Sequence, residues 1–168
     1  RDAGFIALHA GVAGTADVIL IPEIEWDMQK VCEKIMDRDA AGRRFSIVVV
    51  AEGSKPKGGM ESIIGASLPG QDRRLGGIAE RMGYDIQRIT GKETRSMVLG
   101  HLQRGGSPTP FDRVLATRFG WHAAEQVRQG RWGGMVVLQG DQLGLVPLAD
   151  VAGRNRPVPA DAPTLAAA

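Results

Sequence analysis

An α/β fold, with a mainly parallel sheet and flanking helices, is what this sequence predicts, and three features predict it. Segments with apolar residues at helical spacing alternate with short, continuous apolar runs suited to buried strands. That alternation argues for helical crossovers between parallel strands. Glycine supplies 23 of the 168 residues, nearly twice the usual share of about 7%. It gathers between the periodic segments, where tight turns or close approach of backbone to a ligand require it.

In chain order, residues 2–13 place Phe5, Ile6, His9 and Val12 on one side of a helix. Asp17-Val-Ile-Leu-Ile21 follows as a buried strand. Asp27 is placed to cap a second helix carrying Val31, Cys32, Ile35 and Met36 at helical spacing, with Gly42 as its stop. Residues 45–51 are a valine-rich second strand. Residues 52–71 hold five glycines besides Pro56 and Pro69 within a span that predicts a long mobile loop. Leu75, Ile78, Met82, Ile86 and Ile89 mark a third helix closed by Gly91, and residues 94–99 a third strand. Thr109 caps a further helix with Pro110 at its first position and Asp112 in a variant capping box, running to about Gln129. Residues 134–138 and 144–148 predict two short last strands, and residues 155–168, with three prolines, a weakly ordered tail.

The chain is 43% hydrophobic and 24% charged, as soluble globular proteins are. Its 21 basic and 19 acidic residues are interspersed and leave a net charge of +2. Nothing there calls for nucleic acid or a membrane surface as partner. Cys32 is the single cysteine, which excludes an intrachain disulfide and a thiolate zinc cluster, and no metal ligands are assigned. No apolar run approaches the roughly 18 residues of a span, and no charged-then-apolar signal peptide is expected. A cytoplasmic location is expected. The chain starts at Arg1 rather than Met and is expected to be a piece of a longer protein.

In open α/β sheets, ligands bind beyond the carboxyl ends of the strands. Glu52 directly follows the 45–51 strand, and His101-Leu-Gln-Arg104-Gly-Gly-Ser107 follows the 94–99 strand. Glycines there permit a sharp turn, and the helix beginning at Pro110 offers N–H groups and a dipole that favour an anion. His101 and Arg104 supply a titratable donor and a permanent cation, suited to a phosphate monoester. An ionised Glu52 only accepts hydrogen bonds, so it suits hydroxyl groups. Together they describe a site for a phosphorylated polyol. His9 and His122 read as structural, Cys32 as core, and the three tryptophans as too scattered for a stacking platform.

Lys92-Glu-Thr-Arg95, then Val98-Leu-Gly-His101-Leu-Gln-Arg-Gly-Gly-Ser-Pro108 and Phe111-Asp-Arg-Val-Leu-Ala116, resembles the long signature of the 6-phosphofructokinases. Arg1-Asp-Ala-Gly4, Ile21-Pro-Glu23 and Val50-Ala-Glu52-Gly53 fall in that family's order. The resemblance covers residues 1 to about 150 and implies the carboxy-terminal part of a two-domain phosphofructokinase-type fold. Residues 1–104 would belong to the sugar-phosphate (acceptor) domain, residues 105–150 would pack with the missing phosphoryl-donor domain, and residues 151–168 form the tail.

The implied reaction is phosphoryl transfer to the 1-hydroxyl of fructose 6-phosphate, a step of glycolysis, with ATP or pyrophosphate as donor and magnesium as cofactor. The long loop resembles the subgroup whose members use either donor. By the same resemblance, Glu52 holds sugar hydroxyls and Arg1 lies by the substrate. His101 and Arg104 hold the phosphate, Leu102 and Gln103 line the same turn, and Arg95 reaches the phosphate as well. The donor loop and the stretch carrying the catalytic base find no counterpart in the chain, so no catalytic residue is assigned. Magnesium would be bound mainly by the missing amino-terminal part, and the isolated chain is expected to be inactive. A non-catalytic sugar-phosphate binding or regulatory module is the alternative for the chain taken by itself. If residues 94–99 are a strand, six steps of about 3.3 Å put Arg95 some 20 Å from His101, beyond the reach of one side chain. A neighbouring chain would then supply Arg95, making the enzyme a homo-oligomer, dimer or tetramer.

Overall fold

A computed structural model describes residues 1–63 and 75–168. The chain divides into two compact units, one made of Arg1–Val98 with Arg156–Ala168 and the other of Leu99–Asn155. Helices and strands are mixed as an α/β fold requires.

The first unit is organised by two short parallel strands, β1 (Val18–Leu20) and β2 (Val48–Val50), in the register Val18 to Val48 and Leu20 to Val50. Side chains alternate across a strand, and here each face has its own cover. Val18, Leu20, Val48 and Val50 pack with α2 (Met28–Ala40) and α3 (Ile78–Thr90). Ile19, Ile21, Val49 and Ala51 face α1 (Phe5–Ala13) and Val158. Two covered faces explain why both strands are apolar throughout.

Helices α2 and α3 follow their sequence signals. Asp27 accepts the Gln29 N–H at 2.8 Å and caps α2. Val31, Cys32 and Ile35 are its buried stripe, and Ile78, Met82 and Ile86 that of α3. Gly91 ends α3 at φ +69°, a conformation open to glycine and strained for other residues. Burial pushes the Cys32 thiol pKa up, and the nearby Asp85 charge adds to it. Asp17 clasps three elements. One carboxylate oxygen meets Arg38 at 2.8 Å and the other accepts the Ile47 N–H at 2.8 Å.

Four expectations need correction. Helix α1 buries Ala7, Leu8 and Gly11, the first and last small enough to let it lie close to the strands, while Ile6, His9 and Val12 of its predicted side are exposed. Residues 94–99 form no strand; they pair with no neighbour among the described residues, and a ladder needs one. The start of the expected long loop is anchored. Trp26 donates to the Lys55 carbonyl at 3.3 Å and accepts from the Lys57 N–H at 2.7 Å. Residues 64–71 of that loop lie outside the described residues. The expected weakly ordered tail is instead docked. Val158 is buried among Ala7, Leu8, Ile21 and Ala51, with Ala162 and Leu165 packed beside it. Three apolar contacts and one long-range hydrogen bond offset the ordering entropy of that segment.

The second unit holds a 3₁₀ turn (Gly100–Arg104), α4 (Pro110–Arg128), β3 (Gly134–Gln139), β4 (Gln142–Pro147) and the one-turn α5 (Leu148–Val151). Thr109 accepts the Asp112 N–H and the Asp112 carboxylate accepts the Thr109 N–H, a complete capping box. β3 and β4 pair antiparallel across a two-residue Gly140-Asp141 turn, with Gln139 opposite Gln142. Arg118 donates to the Asp141 carbonyl at 2.5 Å and ties α4 to that turn. Among the described residues of this unit only Gln126 is buried, and it contacts His122 at 3.0 Å.

A last short helix, α6 (Pro163–Ala166), belongs to the first unit and carries Leu165 onto its core.

Candidate functional site

Because β1 and β2 run parallel and in register, the chain leaves both at the same edge of the sheet. A glutamate follows each: Glu23 after β1 and Glu52 after β2. Their environments differ. Glu23 accepts the Gly4 N–H on both oxygens, at 3.0 and 3.2 Å, and the Val158 N–H at 2.7 Å. Glu52 is exposed, and no described residue donates to it. Its turn is nevertheless rigid. Ala51 donates to the Leu20 carbonyl at 2.9 Å, and Ser54 donates back to Ala51 at 3.0 Å. Ala51, Gly53 and Ser54 are all buried around it. A free acceptor on a fixed turn is suited to a neutral hydroxyl-bearing ligand.

The Arg1 carbonyl occupies the space where a Cβ would stand on Gly53. Only glycine therefore allows the 1–4 segment to lie on the Glu52 turn, where the Arg1 carbonyl rests against the residue that follows Glu52. Gly4 is equally restricted, since a Cβ there would meet Ile21 and come within 2.8 Å of the Glu23 carboxylate.

His101, Leu102, Gln103 and Arg104 occupy the 3₁₀ turn. Side chains three residues apart eclipse in a 3₁₀ helix, so His101 and Arg104 share one side of it. Backbone bonds from Leu102 to the Leu99 carbonyl and from Gly105 to the Leu102 carbonyl close the turn. Gln103 donates to the Gly100 carbonyl at 3.3 Å. All four side chains are exposed. Neither His101 nor Arg104 has an acidic partner among the described residues, so their donors are available to an external anion. The sequence argument also assigned anion binding to the start of α4. That end already holds the Asp112 carboxylate, whose pKa the Thr109 bonds lower, which disfavours a second anion there.

Arg95 lies apart from both groups in its pairing. Its guanidinium grips the Glu93 carboxylate at 2.8 and 3.0 Å, with both side chains exposed. The strand that set its distance from His101 does not form, so that spacing argument loses its premise. Among the described residues no three acidic, histidine or cysteine side chains converge as a metal site. No described helix is long and apolar enough to cross a membrane.

Glu23 is the residue that sequence reasoning did not assign. Its signal was present, a carboxylate just past an apolar run, as at Glu52. What distinguishes the two are donors 19 and 135 residues away, Gly4 and Val158.

The phosphofructokinase family model matches residues 1–127. The chain belongs to the phosphofructokinase family. An ATP-dependent 6-phosphofructokinase from Chloroflexus aggregans is 52% identical over 153 residues, covering 91% of this chain and 41% of that protein. A pyrophosphate–fructose 6-phosphate 1-phosphotransferase from Streptomyces coelicolor is 46% identical over 159 residues, covering 94% of this chain and 46% of that protein. The crystal structure of a pyrophosphate-dependent phosphofructokinase from Nitrosospira multiformis superposes with a TM-score of 0.72 at 26% identity, over 95% of this chain and 40% of that one. The chain thus spans less than half the length of these phosphofructokinases.

Proposed function

We propose that the parent of this chain transfers a phosphoryl group from ATP or pyrophosphate to the 1-hydroxyl of fructose 6-phosphate, giving fructose 1,6-bisphosphate. The chain supplies acceptor-site residues. The observation that carries this reading is the 3₁₀ turn that stacks His101 and Arg104, exposed and without an acidic partner, inside the family match. His101 and Arg104 hold the sugar phosphate, flanked by Leu102 and Gln103. Glu52 accepts from sugar hydroxyls, and Arg1 stands beside it.

Phosphoryl transfer of this kind rests on positioning and on neutralising charge. The residues above orient the acceptor; the donor loop and the base that takes the hydroxyl proton belong to the rest of the parent. Magnesium would be bound mainly by that part as well. When bound, it neutralises charge on the transferring phosphate. Residues 105–150 pack with the donor part, which their uncovered apolar side chains support. The parent is a cytoplasmic homo-oligomer, dimer or tetramer, and the family resemblance has Arg95, exposed on the chain, reach the phosphate.

Arg104→Ala and His101→Ala in the parent test the assignment. Losing one charge-assisted bond to phosphate costs on the order of 1.5–3 kcal/mol, a rise of roughly tenfold to a hundredfold in KM for fructose 6-phosphate. An unchanged KM and kcat in both variants refutes it. Assaying the parent with each donor decides between ATP and pyrophosphate, and residues 1–168 alone should turn over neither.

A further inference from the structure

We propose that Glu23 is a positioning residue for the sugar-phosphate site, and that the closing segment Arg156–Ala168 is a strap acting through it. The proposal rests on the reading of Arg1 and Glu52 as acceptor-site residues. Glu23 touches no substrate in this scheme; it holds the backbone that does.

The geometry runs through three links. One carboxylate takes hydrogen bonds from Gly4 and from Val158, residues 19 and 135 positions away, with Oε1 shared by both donors. Gly4 fits there because a side chain at that position would meet Ile21 and the carboxylate itself. Three residues before Gly4, the Arg1 carbonyl lies on Gly53, the neighbour of Glu52. The position of Glu23 therefore sets where the Arg1 backbone rests on the Glu52 turn.

The strap reaches the same place by packing. Val158 is buried against Ile21 and Ala51, the residues that lead into Glu23 and Glu52. Ala162 and Leu165 continue that contact from α6 and its approach. A segment that covers both strand ends and bonds to one of the two glutamates holds the edge where the sugar would sit. Without Glu23, the partly buried N–H groups of Gly4 and Val158 have no acceptor, and such groups move to find water. The 1–4 segment and the strap would loosen together, because one oxygen serves both.

The test compares Glu23→Ala, Glu23→Gln and a deletion of residues 156–168, each in the full parent, with fructose 6-phosphate as the varied substrate. Glu23→Ala and the shortened chain should raise its KM about tenfold with kcat little changed, the pattern of lost ground-state positioning. Glu23→Gln keeps a carbonyl oxygen for the same donors and should recover most of that loss. Amide exchange gives a readout independent of turnover, and Gly4 and Val158 should exchange faster together in Glu23→Ala. Unchanged exchange at both overturns the proposal whatever the substrate. Faster exchange with an unchanged KM, while Arg104→Ala does raise KM, makes Glu23 merely structural and also overturns it. If neither Glu23→Ala nor Arg104→Ala alters KM, the acceptor-site reading itself has failed and takes the proposal with it.

Discussion

The two units reach order by different means. Arg1–Val98 with Arg156–Ala168 buries apolar side chains on both faces of a two-stranded sheet. Leu99–Asn155 has a 19-residue helix and a six-residue hairpin, yet no apolar side chain among its described residues is buried. Its order rests on local devices: the Thr109–Asp112 capping box, the Glu125–Arg128 pair one turn apart, and the bond from Arg118 to the hairpin turn. Phe111 and Trp121 on α4 are 70% and 69% exposed. Local devices select a conformation, but helices draw most of their stability from a packed apolar face. Regular secondary structure is therefore no sign of a core, and the second unit is the one that needs cover from elsewhere.

The largest expected contrast is in amide exchange of residues 1–168. Core amides of α2 and α3 should open only near global unfolding, which for a domain costs about 5–15 kcal/mol, while α4 amides should open for far less. Rates differing by about a thousandfold or more would follow from a gap of some 4 kcal/mol. Equal protection in α3 and α4 breaks the comparison.

A mutation pair sharpens it. Met82 is 2% exposed, and Met82→Ala should lower stability to urea by about 2–5 kcal/mol through the lost contacts and the cavity. Phe111→Ala removes a larger side chain from an exposed site and should stay within about 0.5 kcal/mol. A large loss at Phe111 would show that α4 is already covered.

The smallest effect is in pH, and its sign differs between the units. The raised Cys32 thiol stays protonated in the folded chain while the unfolded thiol ionises, so its contribution holds below about pH 8.5 and is lost above it. Thr109 holds the Asp112 carboxyl below its usual range, and Arg128 and Gln129 do so for Glu125. Those contributions are present above about pH 4 and are lost as the pH falls through the lowered values. The indole signals of Trp26 in the first unit should change first in alkali, and those of Trp121 in the second first in acid. Both signals moving together at either extreme would contradict the division.

Much of this was legible in the residues themselves. Asp27, Gly91 and the Thr109–Asp112 pair act within one helical turn, so their neighbours in sequence are also their partners. The stripes of α2 and α3 and the apolar runs at β1 and β2 follow from periodicities that a chain carries wherever it folds. The stretch from His101 to Arg104 was read as a phosphate-holding turn because residue types and glycines lie side by side there.

Tertiary structure decided whatever depended on a distant partner. Residues 94–99 have a strand's composition but find no neighbour to pair with among the described residues, so no ladder forms there. The closing segment has a tail's composition, yet Val158 finds an apolar pocket and a carboxylate 135 residues away. Glu23 and Glu52 look alike in sequence, each just past a run of apolar residues; the first accepts from Gly4 and from Val158, and the second from no described residue. Periodicity and caps are properties of neighbouring residues, whereas hydrogen-bond partners and burial depend on which remote segments the folded chain brings to the same edge.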